Sequence, residues 1–197
     1  MKPQYYLLIF SFFMLLNGLV AQDDCVNRAL HFDGDGDYVQ LANSPIQGSV
    51  DFTIEIWFYS EDADGVTGCF GNMERIFGAG GARFEIGTCE DELAITVNSG
   101  SAVTIATINH FQWYHLAVTR DGNDVEVYLD CDLVYSQSYS AYTLDNVFRL
   151  GRWPGGSTGD NQLWTGKLDE LRIWDYPLSP NQICAGNKCP LTGNESG

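Results

Sequence analysis

Cationic side chains are scarce in this sequence of 197 residues, and their scarcity excludes several classes of partner. Ten Lys and Arg residues stand against 26 Asp and Glu residues, for a formal net charge of −16 at pH 7. A surface of that sign repels the phosphates of nucleic acids and the anionic headgroups of lipids. We therefore expect no nucleic-acid partner and no binding to a bare membrane surface. The same charge suits divalent cations, although it also simply keeps a domain soluble.

Long apolar runs are scarce too, since the only one stands near the N-terminus. Lys2 precedes an almost unbroken apolar run over residues 5–16, and Leu19-Val20-Ala21 follows shortly after. A transmembrane helix needs about 20 apolar residues, more than this run supplies. The arrangement is instead typical of a secretory signal peptide. We predict a signal peptide over residues 1–21, a secreted, extracellular protein and no direct membrane insertion.

No Cys-x-x-Cys pair occurs, which argues against a zinc site. An even number of cysteines in an exported chain indicates disulfides instead. Cys69 and Cys89 flank a segment with the pattern of a hairpin, so we predict that these two pair. A bridge from Cys25 to Cys184 or Cys189 fits a fold whose terminal strands lie side by side. Two cysteines then remain, Cys131 and the other of Cys184 and Cys189, and the partner of Cys131 stays open.

Sustained helical periodicity is absent as well, and short alternating segments separated by Gly, Asn and Asp turns take its place. Apolar residues alternate within residues 53–58, 115–119 and 125–129, so each segment puts one apolar row on a core face. Asp121-Gly122-Asn123, between the last two segments, predicts a tight hairpin turn. About a dozen such segments predict an all-β fold, a two-sheet antiparallel β-sandwich.

The C-terminal part of the sequence departs from simple alternation. Residues 163–174 carry large apolar side chains on both parities, as a central strand does. Ser179-Pro180 then matches the start of a short helix, with a serine cap and proline at the first helical position. We predict one short helical turn there and no other helix.

Three ordered pieces of sequence carry a family resemblance. They are residues 29–39 (ALHFDGDGDYV) with 52–58 (FTIEIWF), residues 113–122 (WYHLAVTRDG) with 127–130 (VYLD), and residues 150–152 (LGR) with 166–174 (GKLDELRIW) and 178–180 (LSP). Together they resemble the laminin-G-like jelly-roll family of the concanavalin A-like lectin and glucanase superfamily, which also contains the pentraxins. The resemblance implies a jelly-roll domain over residues 22–190, followed by a polar tail over residues 191–197. The family usually has glycine where Cys131 stands, so the type of that turn stays open.

An Asp-Gly repeat near the start of the domain suggests a metal site. Asp33, Asp35 and Asp37 alternate with glycines, and carboxylate oxygens are the ligands that calcium prefers. In relatives of this architecture calcium is often held between the opening Asp-Gly turn and an Asp-Glu pair of the last strand. The resemblance therefore implies Asp33, Asp35 and Asp37 with Asp169 as metal ligands and calcium as cofactor. The alternative is that the Asp-Gly repeat only forms turns.

Paired carboxylates, which a glycoside hydrolase needs, are missing from the expected strand. The glucanases of the superfamily carry a Glu-x-Asp-x-Glu run, whereas the matching aromatic strand here has only Glu55. We therefore expect no catalytic residue and no enzymatic activity. A degenerate glycoside hydrolase is the weakest alternative.

Sugar recognition requires aromatic rings beside polar side chains on exposed loops. Trp153 stands next to a Gly-rich loop, with Asn161, Gln162 and Tyr142 nearby in sequence. We expect these residues to bind a glycan, or an extracellular protein, through loops at one rim. One alternative is that such aromatic residues merely fill the core. Another is a structural, adhesion or assembly module without carbohydrate binding, capable of self-association.

Overall fold

The computed structural model describes residues 29–61, 73–81, 83–155 and 163–186. These residues form twelve β-strands and one helix. The strands are β1 (Leu30–Asp33), β2 (Val39–Gln40), β3 (Asp51–Ser60), β4 (Glu74–Ala79), β5 (Phe84–Cys89), β6 (Glu92–Val97), β7 (Val103–Thr107), β8 (Trp113–Asp121), β9 (Asp124–Leu129), β10 (Asp132–Ser138), β11 (Phe148–Leu150) and β12 (Thr165–Trp174), and the helix is α1 (Pro180–Gly186). Several predicted features lie outside the described residues, namely the signal peptide, the tail, Cys25, Cys69, Cys189, Asn161 and Gln162.

The predicted two-sheet antiparallel sandwich is confirmed. The first sheet has the strand order β1-β12-β3-β8-β9-β10, and the second has the order β2-β11-β4-β5-β6-β7. Ile54, Ile56 and Phe58 of β3 are fully buried between the sheets, as their alternation predicts. The strand predicted over residues 163–174 is β12, and it occupies an interior position between β1 and β3.

The outer face of the first sheet is also buried where α1 covers it. Leu178 and Ile183 pack there against Ala117 and Tyr128. The start of the helix is capped by a side chain, because Gln182 Oε1 accepts hydrogen bonds from both N and Oγ of Ser179; the bond from N is one half of a capping box. The short helix predicted from the serine and proline is therefore confirmed, and it extends to Gly186.

Two hairpin turns join β8, β9 and β10. The predicted turn after Asp121 is confirmed, since Asp121 pairs with Asp124 and Gly122 has a positive φ of 59°. In the next turn, Asp130 and Cys131 have φ values of 48° and 79°. Positive φ at both central residues is the requirement of a type I′ hairpin, which explains why glycine is usual where Cys131 stands.

The antiparallel register gathers the loops at two ends of the sandwich. We call the end with loops 34–38, 109–112 and 151–155 the upper rim, because β1 and β11 run into it and β8 and β12 start from it. The lower rim carries the turn at 122–123 and the segment 139–147.

In the described part of the chain, no helix has the length and apolar character needed to cross a membrane.

Candidate ligand-binding rim

A surface at the upper rim, here called the Trp153 surface, consists of Tyr38, Gln40, Arg149, Arg152 and Trp153. Its backbone is set by the antiparallel pairing of β2 with β11, in which Gln40 lies opposite Arg149. This pairing also brings the residue before β2 next to the residues after β11. Tyr38 and Arg152 are therefore neighbours although they are far apart in sequence.

Arg149 is held in place within the Trp153 surface. Its Nε donates a hydrogen bond to Gln40 Oε1 at 2.9 Å, and its Nη1 donates to the Trp153 carbonyl oxygen at 3.0 Å. The guanidinium carbons of Arg149 and Arg152 lie 5.7 Å and 4.9 Å from the centre of the Tyr38 ring. Tyr38 itself is 45% exposed. The surface thus presents a partly exposed aromatic ring with two guanidinium groups over it.

Trp153 connects this surface to a buried ion pair on the outer face of the second sheet. Its Nε1 donates to Glu85 Oε1 at 3.1 Å, while Arg75 Nε donates to Glu85 Oε2 at 2.9 Å. Both ion-pair partners are buried, and burial lowers the pKa of the Arg75 guanidinium, an effect that Glu85 opposes. The indole lies so close to Gly155 that a Cβ there would be 2.3 Å from the ring. Trp153 is therefore fixed in orientation and only partly exposed.

The other residues predicted to contact a ligand are Asn161, Gln162 and Tyr142. Asn161 and Gln162 lie outside the described residues. Tyr142 is a core residue, 7% exposed, with the Arg120 guanidinium 3.9 Å from its ring centre. Burial raises the pKa of Tyr142 to about 12. Its expected role in ligand binding is corrected, because its ring packs in the core near the lower rim.

The structure does not bring the four predicted calcium ligands together. Asp33 Oδ1 accepts a hydrogen bond from Asp35 N at 2.8 Å and so closes a turn over residues 33–35, two residues before Asp37. Asp33 pairs with Thr165, four residues before Asp169 in β12. At about 3.3 Å per residue, Asp33 and Asp169 are about 13 Å apart along the strand. Among all described residues, no three His, Cys, Asp or Glu side chains form a group that could hold a metal ion.

Glu55, the carboxylate that matches the glucanase strand, is inaccessible. It is 1% exposed, and its Oε2 accepts a hydrogen bond from Trp174 Nε1 at 2.7 Å. Gly186, the last residue of α1, lies against its Oε1. A general acid must reach the glycosidic oxygen, so this buried position offers no route to hydrolysis.

Of the predicted disulfide cysteines, Cys89 is disulfide-bonded in the structure. Its predicted partner, Cys69, lies outside the described residues. Cys184 in α1 lies beside the β9–β10 turn, with its Sγ 3.8 Å from the Cys131 carbonyl oxygen. The helix and this hairpin are therefore in direct contact.

A second surface, missed by the sequence analysis, consists of Tyr59, Glu61, Phe111, Trp113 and Lys167 and is called the Phe111 surface. The register places Lys167, Tyr59 and Trp113 in one row across three strands of the first sheet. Lys167 Nζ lies 4.6 Å from the Tyr59 ring centre and 2.7 Å from Glu61 Oε1. Hydrogen bonds from Lys167 and His31 both lower the pKa of Glu61, and the bond from Lys167 has the larger effect.

Phe111 is the most exposed large apolar residue among the described ones, at 60%. It also has a φ of 62°, a left-handed conformation that bulky residues rarely adopt. A hydrogen bond from its backbone N to the Ser60 carbonyl oxygen, at 2.8 Å, holds it there. In the sequence, Phe111 is a single aromatic residue within a polar loop, and the alternation patterns that identify strands do not detect it.

Comparison with known proteins shows what this fold is similar to. No curated protein matches the sequence significantly. A heptameric SAP-like pentraxin from Limulus polyphemus has a TM-score of 0.62 at 17% identity, covering 78% of each chain. The CBM40 of Ruminococcus gnavus IT-sialidase, solved with α2,3-sialyllactose, has a TM-score of 0.62 at 12% identity, covering 81% of this chain and 96% of that one.

A third similar structure is domain 4 of the extracellular arabinanase AbnA from Geobacillus stearothermophilus, in complex with arabinotriose, with a TM-score of 0.60 at 22% identity. The match covers 80% of this chain and 75% of that domain. At these identities the likeness shows the fold, which is that of lectin-like and carbohydrate-binding modules. The sequence model of the family Laminin_G_3, in the concanavalin A-like lectin/glucanases superfamily, matches residues 33–184, and the chain therefore belongs to this laminin-G-like family.

Proposed function

We propose that this protein is a secreted, non-enzymatic module that binds a glycan through its upper rim. One observation carries the proposal, namely the exposed Tyr38 side chain with the guanidinium groups of Arg149 and Arg152 over its ring and the partly exposed Trp153 next to them. An aromatic face packs against the C–H groups of a sugar, while guanidinium and amide groups donate hydrogen bonds to its hydroxyl oxygens. The Trp153 surface combines both kinds of contact.

Similar folds support this proposal without establishing the ligand. Two of the similar structures were solved with an oligosaccharide, one with sialyllactose and one with arabinotriose. One sandwich fold hosts many activities, so the function has to be argued from the site. The four acidic residues predicted as calcium ligands do not lie close together, and the proposed glycan binding requires no bound cation.

A glycan array tests the proposal. Residues 22–197, expressed with oxidised disulfides, are expected to bind a defined set of glycans, and Tyr38→Ala is expected to weaken that binding about tenfold. Tyr176→Ala is the matched control, because Tyr176 is also an exposed aromatic residue, at 39%, and follows β12 at the end of the sandwich away from the upper rim. Absence of binding to every glycan, or equal losses in the two variants, would contradict the proposal.

A second candidate function, assembly with copies of itself, is favoured by the Phe111 surface. Exposed aromatic side chains are enriched at protein interfaces, and backbone strain persists where a function requires it. The pentraxin with a similar fold is described as a heptamer. Sedimentation at increasing protein concentration tests this candidate, since an assembly through this surface should dissociate in Phe111→Ser, and a monomer at all concentrations would exclude it.

A further inference from the structure

Positive charge is scarce in this protein. Outside the Trp153 surface, the cationic side chains of the described residues are paired with carboxylates, buried, or isolated from other cations. Three cations pair with carboxylates, namely Arg75 with Glu85, Lys167 with Glu61 and Arg172 with Glu170. Arg120 is fully buried and donates to three backbone carbonyls. Arg83 is exposed, and its guanidinium donates a hydrogen bond to the side chain of Asn98, at 3.3 Å. None of these positions leaves two guanidinium groups together at the surface.

The Trp153 surface is the exception. Arg149 and Arg152 flank one ring, and neither forms an ion pair with a carboxylate of the described residues. Asp37, which directly precedes Tyr38, is exposed but lies outside ion-pair distance of both. Two like charges around one ring repel each other, and a bound anion removes that repulsion.

The donors are also arranged for an anion. Arg149 uses Nε and Nη1 on Gln40 and on the Trp153 backbone, which fixes its remaining nitrogen, Nη2, in space. Arg152 has no hydrogen bond to another described residue in the structure, so its planar fork is available. A guanidinium fork matches the two oxygens of a carboxylate or sulfate, and such charge-assisted bonds are stronger than neutral ones.

We propose that the ligand of this surface is an acidic saccharide, whose carboxylate or sulfate group binds Arg152 and Arg149 while its sugar ring packs on Tyr38. This inference rests on the proposed glycan-binding function and specifies the chemical class of the glycan. Carboxylated and sulfated sugars present the same anionic oxygens to the two guanidinium groups. The neutral part of the ligand supplies the apolar face that the ring requires.

Titration calorimetry with three oligosaccharides of equal length tests the inference. The probes are an oligogalacturonate, a sulfated oligogalactan and a neutral oligogalactan, each titrated at low and at physiological salt. At least one acidic probe is expected to bind about tenfold more tightly than the neutral one, with an affinity that falls as salt rises. Comparison of the two acidic probes shows which anion is preferred.

Arginine variants test whether the preference for acidic saccharides arises at the Trp153 surface. Arg152→Gln is expected to abolish the advantage of the acidic probe, and Arg152→Lys to restore only part of it, because an ammonium lacks the fork. Arg83→Gln is the matched control and should behave like the unchanged protein. The melting curves of the three variants should coincide, since the side chains of Arg152 and Arg83 lie at or near the surface.

The outcomes separate this inference from the function on which it rests. Equal affinity for neutral and acidic probes, with binding still lost in Tyr38→Ala, would overturn the acidic preference and leave glycan binding in place. An acidic preference that survives in Arg152→Gln would place the anion site elsewhere and overturn the assignment. Absence of any glycan binding would overturn both.

Discussion

Trp174 donates its indole hydrogen to the buried carboxylate of Glu55 at 2.7 Å, on the sheet face that α1 covers. Glu55 is 1% exposed, and a buried carboxylate needs such donors to offset its lost hydration. Trp174→Phe removes the donor and is expected to lower the free energy of unfolding by about 1–3 kcal/mol in urea titrations. Trp113→Phe, a partly exposed indole on the same sheet, should change it by much less, and equal effects of the two substitutions would contradict this account.

The left-handed backbone of Phe111 predicts an unusual order of stabilities. At a φ of 62° a side chain with Cβ is disfavoured by about 1 kcal/mol relative to glycine. Phe111→Gly should therefore be more stable than Phe111→Ala by about that amount in thermal or chemical unfolding. At Val103, an exposed position in β7, the order should reverse, because glycine weakens an ordinary strand. The same order at both sites would argue against the strained conformation.

Arg120 is expected to be a major stabilising residue, although its charge has no carboxylate partner in direct contact among the described residues. It is 0% exposed and donates to the backbone carbonyls of Gly122, Ser49 and Tyr142, and burial lowers its pKa. Arg120→Met leaves these carbonyls without their donor and should lower the free energy of unfolding by about 3 kcal/mol or more. Arg83→Met, at an exposed site, should change it by about 0.5 kcal/mol or less.

Alkaline pH should destabilise the fold through buried tyrosines. Burial raises the pKa of Tyr142 to about 12. Burial also raises the pKa of Tyr128, whose hydroxyl donates a hydrogen bond to Glu126, and that of Tyr139, whose hydroxyl is hydrogen-bonded with Tyr135. Since the folded state holds these protons more tightly than the unfolded state, stability should fall as pH rises from about 10, the ordinary pKa of tyrosine. Unfolding titrations between pH 10 and 12 should show this slope, and Tyr142→Phe should reduce it. An unchanged slope in that variant would show that Tyr142 ionises normally.

The separation of Asp33 from Asp169 makes a prediction about calcium. The structure places them about four residues apart along β1 and β12, so any ion at the Asp-Gly turn lacks Asp169 as a ligand. We expect that the melting temperature of Asp169→Ala responds to calcium and to EDTA as that of the unchanged protein does. A calcium response that disappears in Asp169→Ala alone would restore the site inferred from the resemblance.

Much of the fold could be predicted from local sequence. Alternation in β3, β8 and β9 identified the core rows, because successive side chains of a strand point to opposite faces. Asp121-Gly122 identified a hairpin through its backbone preference, and Ser179 with Pro180 identified the start of α1 through helix capping. Each of these signals is contained within a few residues, so none required knowledge of the rest of the chain.

The candidate site could be predicted only in part. Trp153 was found because an aromatic residue beside a Gly-rich loop is visible in sequence, and it does lie at the upper rim. Tyr142 was assigned wrongly, since sequence proximity to Trp153 carries no information about the end of the sandwich at which a residue lies. Phe111 was missed because its exposure and its backbone conformation both depend on the loop that holds it.

Strand periodicity and turn chemistry act over a few residues, so the amino-acid sequence is enough to predict that this chain forms a β-sandwich. Which distant residues meet depends on strand register across two sheets, and that register is set by the packing of the whole core. That register brought Arg149 and Arg152 to Tyr38, moved Asp169 away from the Asp-Gly turn, and buried Glu55 under α1.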